Sequence, residues 1–213
     1  MKARGSAWLL VTATLLGGKS YAQFERLDPG TVTYYIGAGS PGSGYAAGDA
    51  ELAVWALGTW QRAAPEGALV FEPGAEETAL VRVYFVTAGF GQYGEARALD
   101  VGGRRGAAVF VRPDTRALGA DIASLTAADP LLRDAIVYLT CLHELGHALG
   151  LQHTADFADI MYSFQFGGDI PAYFGRYREQ LETRADIARA SGLSAGDIAR
   201  LATLYRELPP KDQ

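Results

Sequence analysis

Four stretches of the chain concentrate β-branched and aromatic residues between breaks rich in glycine and proline. Thr31 to Ile36 (TVTYYI) predicts a strand that ends in the glycine-rich stretch Gly37 to Gly44. Ala68 to Phe71 and Leu80 to Thr87 (LVRVYFVT) predict two more, the second alternating and therefore half buried. Ala107 to Val111 (AAVFV) predicts a fourth, stopped by Arg112-Pro113. Between the first and second, Leu52, Trp55, Thr59 and Trp60 share one face of a helix that Asp49 can N-cap and that runs to about Ala64, before Pro65. Strand, helix, three strands and then a long helix is a mixed α/β pattern.

The long helix has both end signals. Asp129 can cap it and Pro130 occupies its first turn, where a missing N–H costs nothing. It runs through Leu139 and Cys141 to Leu149 and stops at Gly150, the residue best able to turn left-handed after a helix. Farther on, Phe164 to Gly168 reads as a flexible aromatic loop. Tyr173, Tyr177, Leu181, Ala185 and Ala188 then form one apolar stripe, with Arg176, Glu179, Glu182 and Arg189 outside it, which predicts an amphipathic helix over Ala172 to Ala190.

Composition narrows the class. The chain has 213 residues, 49% of them hydrophobic and 20% charged, enough for one domain with a real core, and it contains no internal repeat. Lys2 and Arg4, the apolar run Ala7 to Gly18 and the small-x-small site Ser20-Tyr21-Ala22 describe a secretory signal peptide, residues 1–22. The expected location is extracellular or periplasmic. That apolar run is shorter than the roughly 20 residues a membrane-spanning helix needs, so no integral membrane segment is expected. The net charge is −5, and losing Lys2, Arg4 and Lys19 with the leader makes the chain more acidic. An acidic exported protein has no electrostatic reason to seek nucleic acid or an anionic membrane. One cysteine, Cys141, cannot form an intrachain disulfide, and the absence of Asn removes every N-glycosylation acceptor.

The chemistry is concentrated near the end of the long helix. The chain's 3 histidines are His143, His147 and His153. Residues four apart on a helix are ~40° apart around the axis and ~6 Å along it, so His143 and His147 project side by side and can grip one ion. Gly150 turns the chain so that His153 can return to the same ion. Glu144, in the adjacent row, is too displaced to be a ligand but close enough to hydrogen-bond a water there. Three neutral imidazoles with an open fourth position is the pattern of catalytic zinc, which brings the pKa of a bound water to about 7.

HELGHALGLQH fits the extended pattern HExxHxxGxxH of metzincin peptidases. Asp159-Ile160-Met161-Tyr162 follows His153 where metzincins place the methionine of their Met-turn. Thr154 directly after the third histidine, the His-to-Met spacing and Tyr162 after Met161 resemble the matrixins, the family of matrix metalloproteinases and their bacterial relatives. Leu193-Ser194-Ala195-Gly196-Asp197-Ile198 to Leu204-Tyr205 resembles that family's closing helix. The resemblance covers most of residues 30–206. It implies a metzincin-like α/β (α+β) catalytic domain over residues 23–213: a mixed twisted sheet, a long active-site helix, a Met-turn and a C-terminal helix. It implies one zinc held by His143, His147 and His153, Glu144 as general base, and a peptide or protein substrate. It also implies that the strand around Ala107, Ala108 and Val109 is the edge that pairs with substrate.

Some features depart from the family. Between Ala22 and Thr31 there is no room for a propeptide, and no cysteine-switch motif is present. Cys141 lies about 160° around the helix from His143, facing the core. With every histidine used at one ion, a histidine-bound structural zinc cannot form. Calcium through Asp100, Asp114 or Asp121 is possible, but none has calcium-loop spacing, and solvated carboxylates are the expectation. Residues 163–192 form an unusually long insert between Met-turn and closing helix. The expected activity is that of a secreted zinc endopeptidase. Two alternatives stand beside it: an exported zinc- or peptide-binding module without turnover, which would not need Glu144, and a zinc hydrolase of a non-peptide amide. Oligomeric state is not legible in the sequence.

Overall fold

The structure, a computed structural model, describes residues 25–87 and 93–206. The expected signal peptide lies outside the described residues. Strand β1 (Gly30–Ile36) is followed by helix α1 (Asp49–Ala63) and strands β2 (Leu69–Pro73), β3 (Val81–Phe85), β4 (Gly94–Val101) and β5 (Arg104–Val111). Helices α2 (Ala120–Ala128), α3 (Pro130–Ala148), α4 (Ile170–Arg178) and α5 (Ala195–Arg206) complete the order. The strands make one sheet in the order β2-β1-β3-β5-β4, parallel except for β4, which runs antiparallel to β5. This is the mixed α/β architecture that the alternation of patterns predicts.

The sheet topology corrects one expectation. Ala107, Ala108 and Val109 do not form an edge, because β5 is paired on both sides, with β3 and with β4. The edge is β4, whose sequence GEARALDV gave no strand signal: Arg97 and Asp100 are exposed and Glu95 partly so, at a border that no other described strand pairs, where β-branched residues are not required. Gly102 and Gly103, both at positive φ (63° and 80°), close the two-residue turn between β4 and β5.

One continuous core runs from Leu27 to Tyr205. Val81, Val83 and Phe85 of β3 and Val109 and Val111 of β5 alternate onto it, and α1 and α3 cover that face of the sheet. Polar bonds inside this packing set how the two helices sit. The buried Trp60 donates its indole N–H to Leu142 O (2.9 Å), and Thr59 and Tyr138 share a hydroxyl bond of 2.9 Å. Cys141 is wholly buried, as its position on the helix predicts.

Helix ends follow the sequence at α3 and depart from it at α1. Asp129 accepts from Leu131 N (3.0 Å) and Leu132 N (3.2 Å), and Pro130 is in the first turn. Gly150 takes φ 102°, and a Cβ there would meet the Arg26 backbone at 2.9 Å. At α1 the N-cap is Gly48, not Asp49. Asp49 lies one residue inside, where its buried carboxylate accepts from Ala46 N (2.8 Å) and pairs with Arg133 of α3 (2.8 Å at Nη2). A tertiary ion pair has taken the side chain that local logic assigned to a cap.

The insert is not one helix either. It has α4, which ends at Arg178, and then a short 3-10 turn, Arg184–Ala188, with Thr183 before it. Asp186 starts the new turn: its carboxylate accepts from Thr183 N (2.7 Å), from Arg189 (2.6 Å) and from Glu182 N (3.1 Å), which holds it down at about 2. Tyr173, Tyr177 and Leu181 are buried as the stripe predicts, whereas Ala185 is exposed and Ile187 takes its place in the core. Phe164–Phe166 is a 3-10 turn. Helix α2, with only Ile122 buried, has no counterpart in the apolar pattern. Among the described residues, no helix is long and apolar enough to cross a membrane.

Candidate metal centre and active site

Two of the three histidines sit on the last turns of α3, and Gly150 returns the third to them. Ligand atoms of His143, His147 and His153 all lie within 4.8 Å of one another. His153 Nε2 is 3.2 Å from His143 Nε2 and 3.1 Å from His147 Nε2. Nitrogens bound tetrahedrally to one zinc stand about 3.3 Å apart, and the two separations from His153 are close to that value.

The other ring nitrogens decide the tautomers. His143 Nδ1 donates to Ile160 O (2.6 Å) and His147 Nδ1 donates to Leu151 O (2.8 Å), which leaves the lone pair of each Nε2 facing the centre. Desolvation, reinforced by the neighbouring rings at His143, lowers both imidazoles, and desolvation alone lowers His153. All three are neutral near pH 7 and do not ask a cation to displace protons. Among the described residues they are the one group of His, Cys, Asp or Glu able to hold a metal. Asp100 is engaged with Gly103 N (3.0 Å) and Asp114 with Arg116 (2.7 Å).

Two glycines that the sequence reading passed over explain the closeness of the parts. Met161 is wholly buried against Gly146, where a Cβ would meet its Sδ at 2.4 Å. The helix between His143 and His147 can rest on that thioether because position 146 has no side chain. Gly94, the first residue of β4, lies against Glu144, and a Cβ there would stand 2.4 Å from Glu144 Oε1. The sheet edge therefore touches the carboxylate beside the histidines. Burial pushes that carboxyl up to about 8, with the like charge of Glu95 adding to it. Nothing in the local sequence marked Gly94 or Glu95, because their neighbourhood is made by strand pairing.

A cavity of about 390 Å³ opens beside His143 and Glu144, walled by Leu139, Tyr162, Phe164, Tyr173 and Phe174. Two of its tyrosine hydroxyls are engaged with backbone, Tyr162 with Gly167 O (2.8 Å) and Tyr173 with Asp159 O (2.9 Å), whereas the buried hydroxyl of Tyr93, which also lines it, has no hydrogen-bond partner among the described residues. The chamber thus has largely aromatic walls with Thr140, Ser163 and Gln165 among them, and the insert supplies part of them.

The chain belongs to the matrixin family of zinc metalloproteases, whose model matches residues 26–167, and the three histidines form a cluster that could hold such a metal. Among solved structures it is similar to two of myroilysin. One is 20% identical with a TM-score of 0.40 over 86% of this chain and 83% of that one. The other is 21% identical with a TM-score of 0.39 over 84% and 85%. No curated protein matches.

Proposed function

We propose that residues 23–213 act as an exported zinc endopeptidase, with His143, His147 and His153 as ligands and Glu144 as general base. The observation that carries this reading is the meeting of three imidazole Nε2 atoms, a buried carboxylate and an unpaired strand edge at one cavity. Bound zinc would supply Lewis acidity toward a carbonyl and a lowered pKa for water. A bound dication would also lower the Glu144 carboxyl from that raised value, toward the ionised form a base needs. Glu144 then takes the proton of the attacking water and hands it to the departing amine.

Substrate lies along β4, not β5. Arg112 N donates to Tyr93 O (3.0 Å), and the register pairs Glu95 with Phe110 and Arg97 with Ala108. By antiparallel alternation Glu95 and Arg97 bond to β5, while Gly94, Ala96 and Ala98 turn their N–H and C=O outward to an extended peptide. The aromatic cavity takes the side chain just after the scissile bond. Cleavage after Ala22 delivers the enzyme outside the cytoplasm, which the N-terminal mass of the exported protein checks.

The test is cleavage profiling of a peptide library with purified protein, with and without a zinc chelator and with Glu144→Ala. Loss of a general base lowers turnover by roughly 10²-fold or more while zinc and fold remain. Hydrolysis near normal in Glu144→Ala overturns the mechanism. No hydrolysis by the zinc-loaded wild type returns the binding module to the front.

A further inference from the structure

The two helical ligands are each held by a backbone carbonyl at Nδ1, but His153 stands on the loop after α3 with an exposed ring. Its neighbour Thr154 is held on three sides. Thr154 N donates to Met161 O (2.9 Å), Ser163 N donates to Thr154 O (3.2 Å), and Thr154 Oγ1 donates to Asp159 Oδ2 (2.8 Å). The first two bonds are backbone bonds that any residue could make. The third needs a hydroxyl at position 154 and an acceptor at position 159.

Asp159 is itself 2% exposed and tied to the closing helix. Its carboxylate accepts from Ser194 Oγ (2.5 Å) and pairs with Arg200 Nη2 (2.5 Å) of α5. A Cβ at position 196 would stand 2.9 Å from Asp159 Oδ1, so glycine in the first turn of α5 is what lets the helix approach this carboxylate. Asp197, wholly buried, accepts from Ser194 N (2.9 Å) and Ile160 N (2.8 Å), and so anchors the residue whose carbonyl, in the next peptide unit, holds His143. Side chains of α5 therefore reach both the loop ligand and one helical ligand, through adjacent residues of the Met-turn.

We propose that Asp159 is a positioning residue for the third zinc ligand, tying His153 through Thr154 to Ser194 and Arg200 so that α5 holds the ligand set closed. The proposal rests on the reading that the three histidines hold zinc. A ligand free to swing away loses zinc faster, because the ion is then held by two imidazoles until the third returns. Residues that orient metal ligands from behind are worth about 10- to 100-fold in metal affinity.

The test measures zinc affinity by chelator competition and records the visible absorption of the cobalt(II)-substituted protein. Thr154→Val removes the hydroxyl at nearly constant shape. It is expected to weaken zinc binding by about tenfold or more and to alter the cobalt bands, and Thr154→Ser, which keeps the donor, is expected to restore both. Thr154→Val with wild-type zinc affinity and cobalt spectrum overturns the proposal, whatever its melting temperature. Where Thr154→Val does not fold, Arg200→Gln, at a partly exposed position, decides: weaker zinc supports the tether and unchanged zinc overturns it. His153→Ala separates the two levels, since zinc held as tightly without that ring means that the ligand assignment has failed and not the tether.

Discussion

At the scale of the residue, the site depends on side chains that are missing as much as on those present. Gly94 leaves the space that Glu144 Oε1 and Cγ occupy, so even a methyl group at 94 must push the carboxylate aside. Gly94→Ala is therefore expected to lower kcat by about 10-fold or more with zinc content unchanged, the loss following from a misplaced base. Metal analysis beside steady-state kinetics checks it. Wild-type kcat in this variant means that the strand does not hold Glu144 in its working position. The histidines were legible by spacing alone because i and i+4 on a helix determine a shared face without help from the rest of the chain. Gly94 was not, since the pairing that brings it to Glu144 is long-range.

At the scale of the element, the edge strand and the insert each carry a prediction. Val109 lies inside the sheet, so proline there would break the β3-β5-β4 pairing and test only folding. Ala96 turns its N–H outward, and proline is tolerated at edges. Ala96→Pro is expected to raise KM or lower kcat/KM for peptides severalfold, with zinc content and circular dichroism unchanged. Unaltered peptide kinetics would place substrate elsewhere. In the insert, Phe164 packs edge-on to Tyr162 and Tyr173 at the cavity wall, with ring centroids 5.5 and 5.1 Å away. Phe164→Ala enlarges the chamber and is expected to broaden selectivity at the position just after the scissile bond, leaving the other subsites as they were. Identical cleavage profiles would make the insert scaffold only. Its apolar stripe announced burial correctly at Tyr173, Tyr177 and Leu181. The pattern did not reveal the second turn, because Asp186 reads as one more polar position until its bonds to Glu182 and Thr183 are formed.

At the scale of the whole molecule, the metal centre joins elements that the sheet alone does not connect. α3 carries His143 and His147, the following loop carries His153, and α5 braces residues 159 and 160 beneath them. Zinc bound to the folded state and not to the unfolded chain stabilises it by about 4 kcal/mol at a thousandfold excess over its dissociation constant. Removing zinc with a chelator is expected to lower the melting temperature by several degrees, and adding zinc back restores it. A melting curve indifferent to the chelator would mean that the three rings do not hold zinc in the folded protein.

What the sequence determined by itself is whatever has a local cause. The caps and stop of α3, the shared face of His143 and His147, the turn at Gly150, the burial of Cys141 and the α/β alternation all follow from spacing and from single-residue conformational preference. Tertiary structure decided the rest. It made β4 the edge, redirected Asp49 from a cap to Arg133, ended the insert's helix at Arg178, and set Gly94 and Glu95 beside Glu144. Each of these depends on which distant segment arrives as a neighbour, and pairing partners and buried charges are chosen by the packing of the whole chain, a sum of contacts that no window of sequence contains.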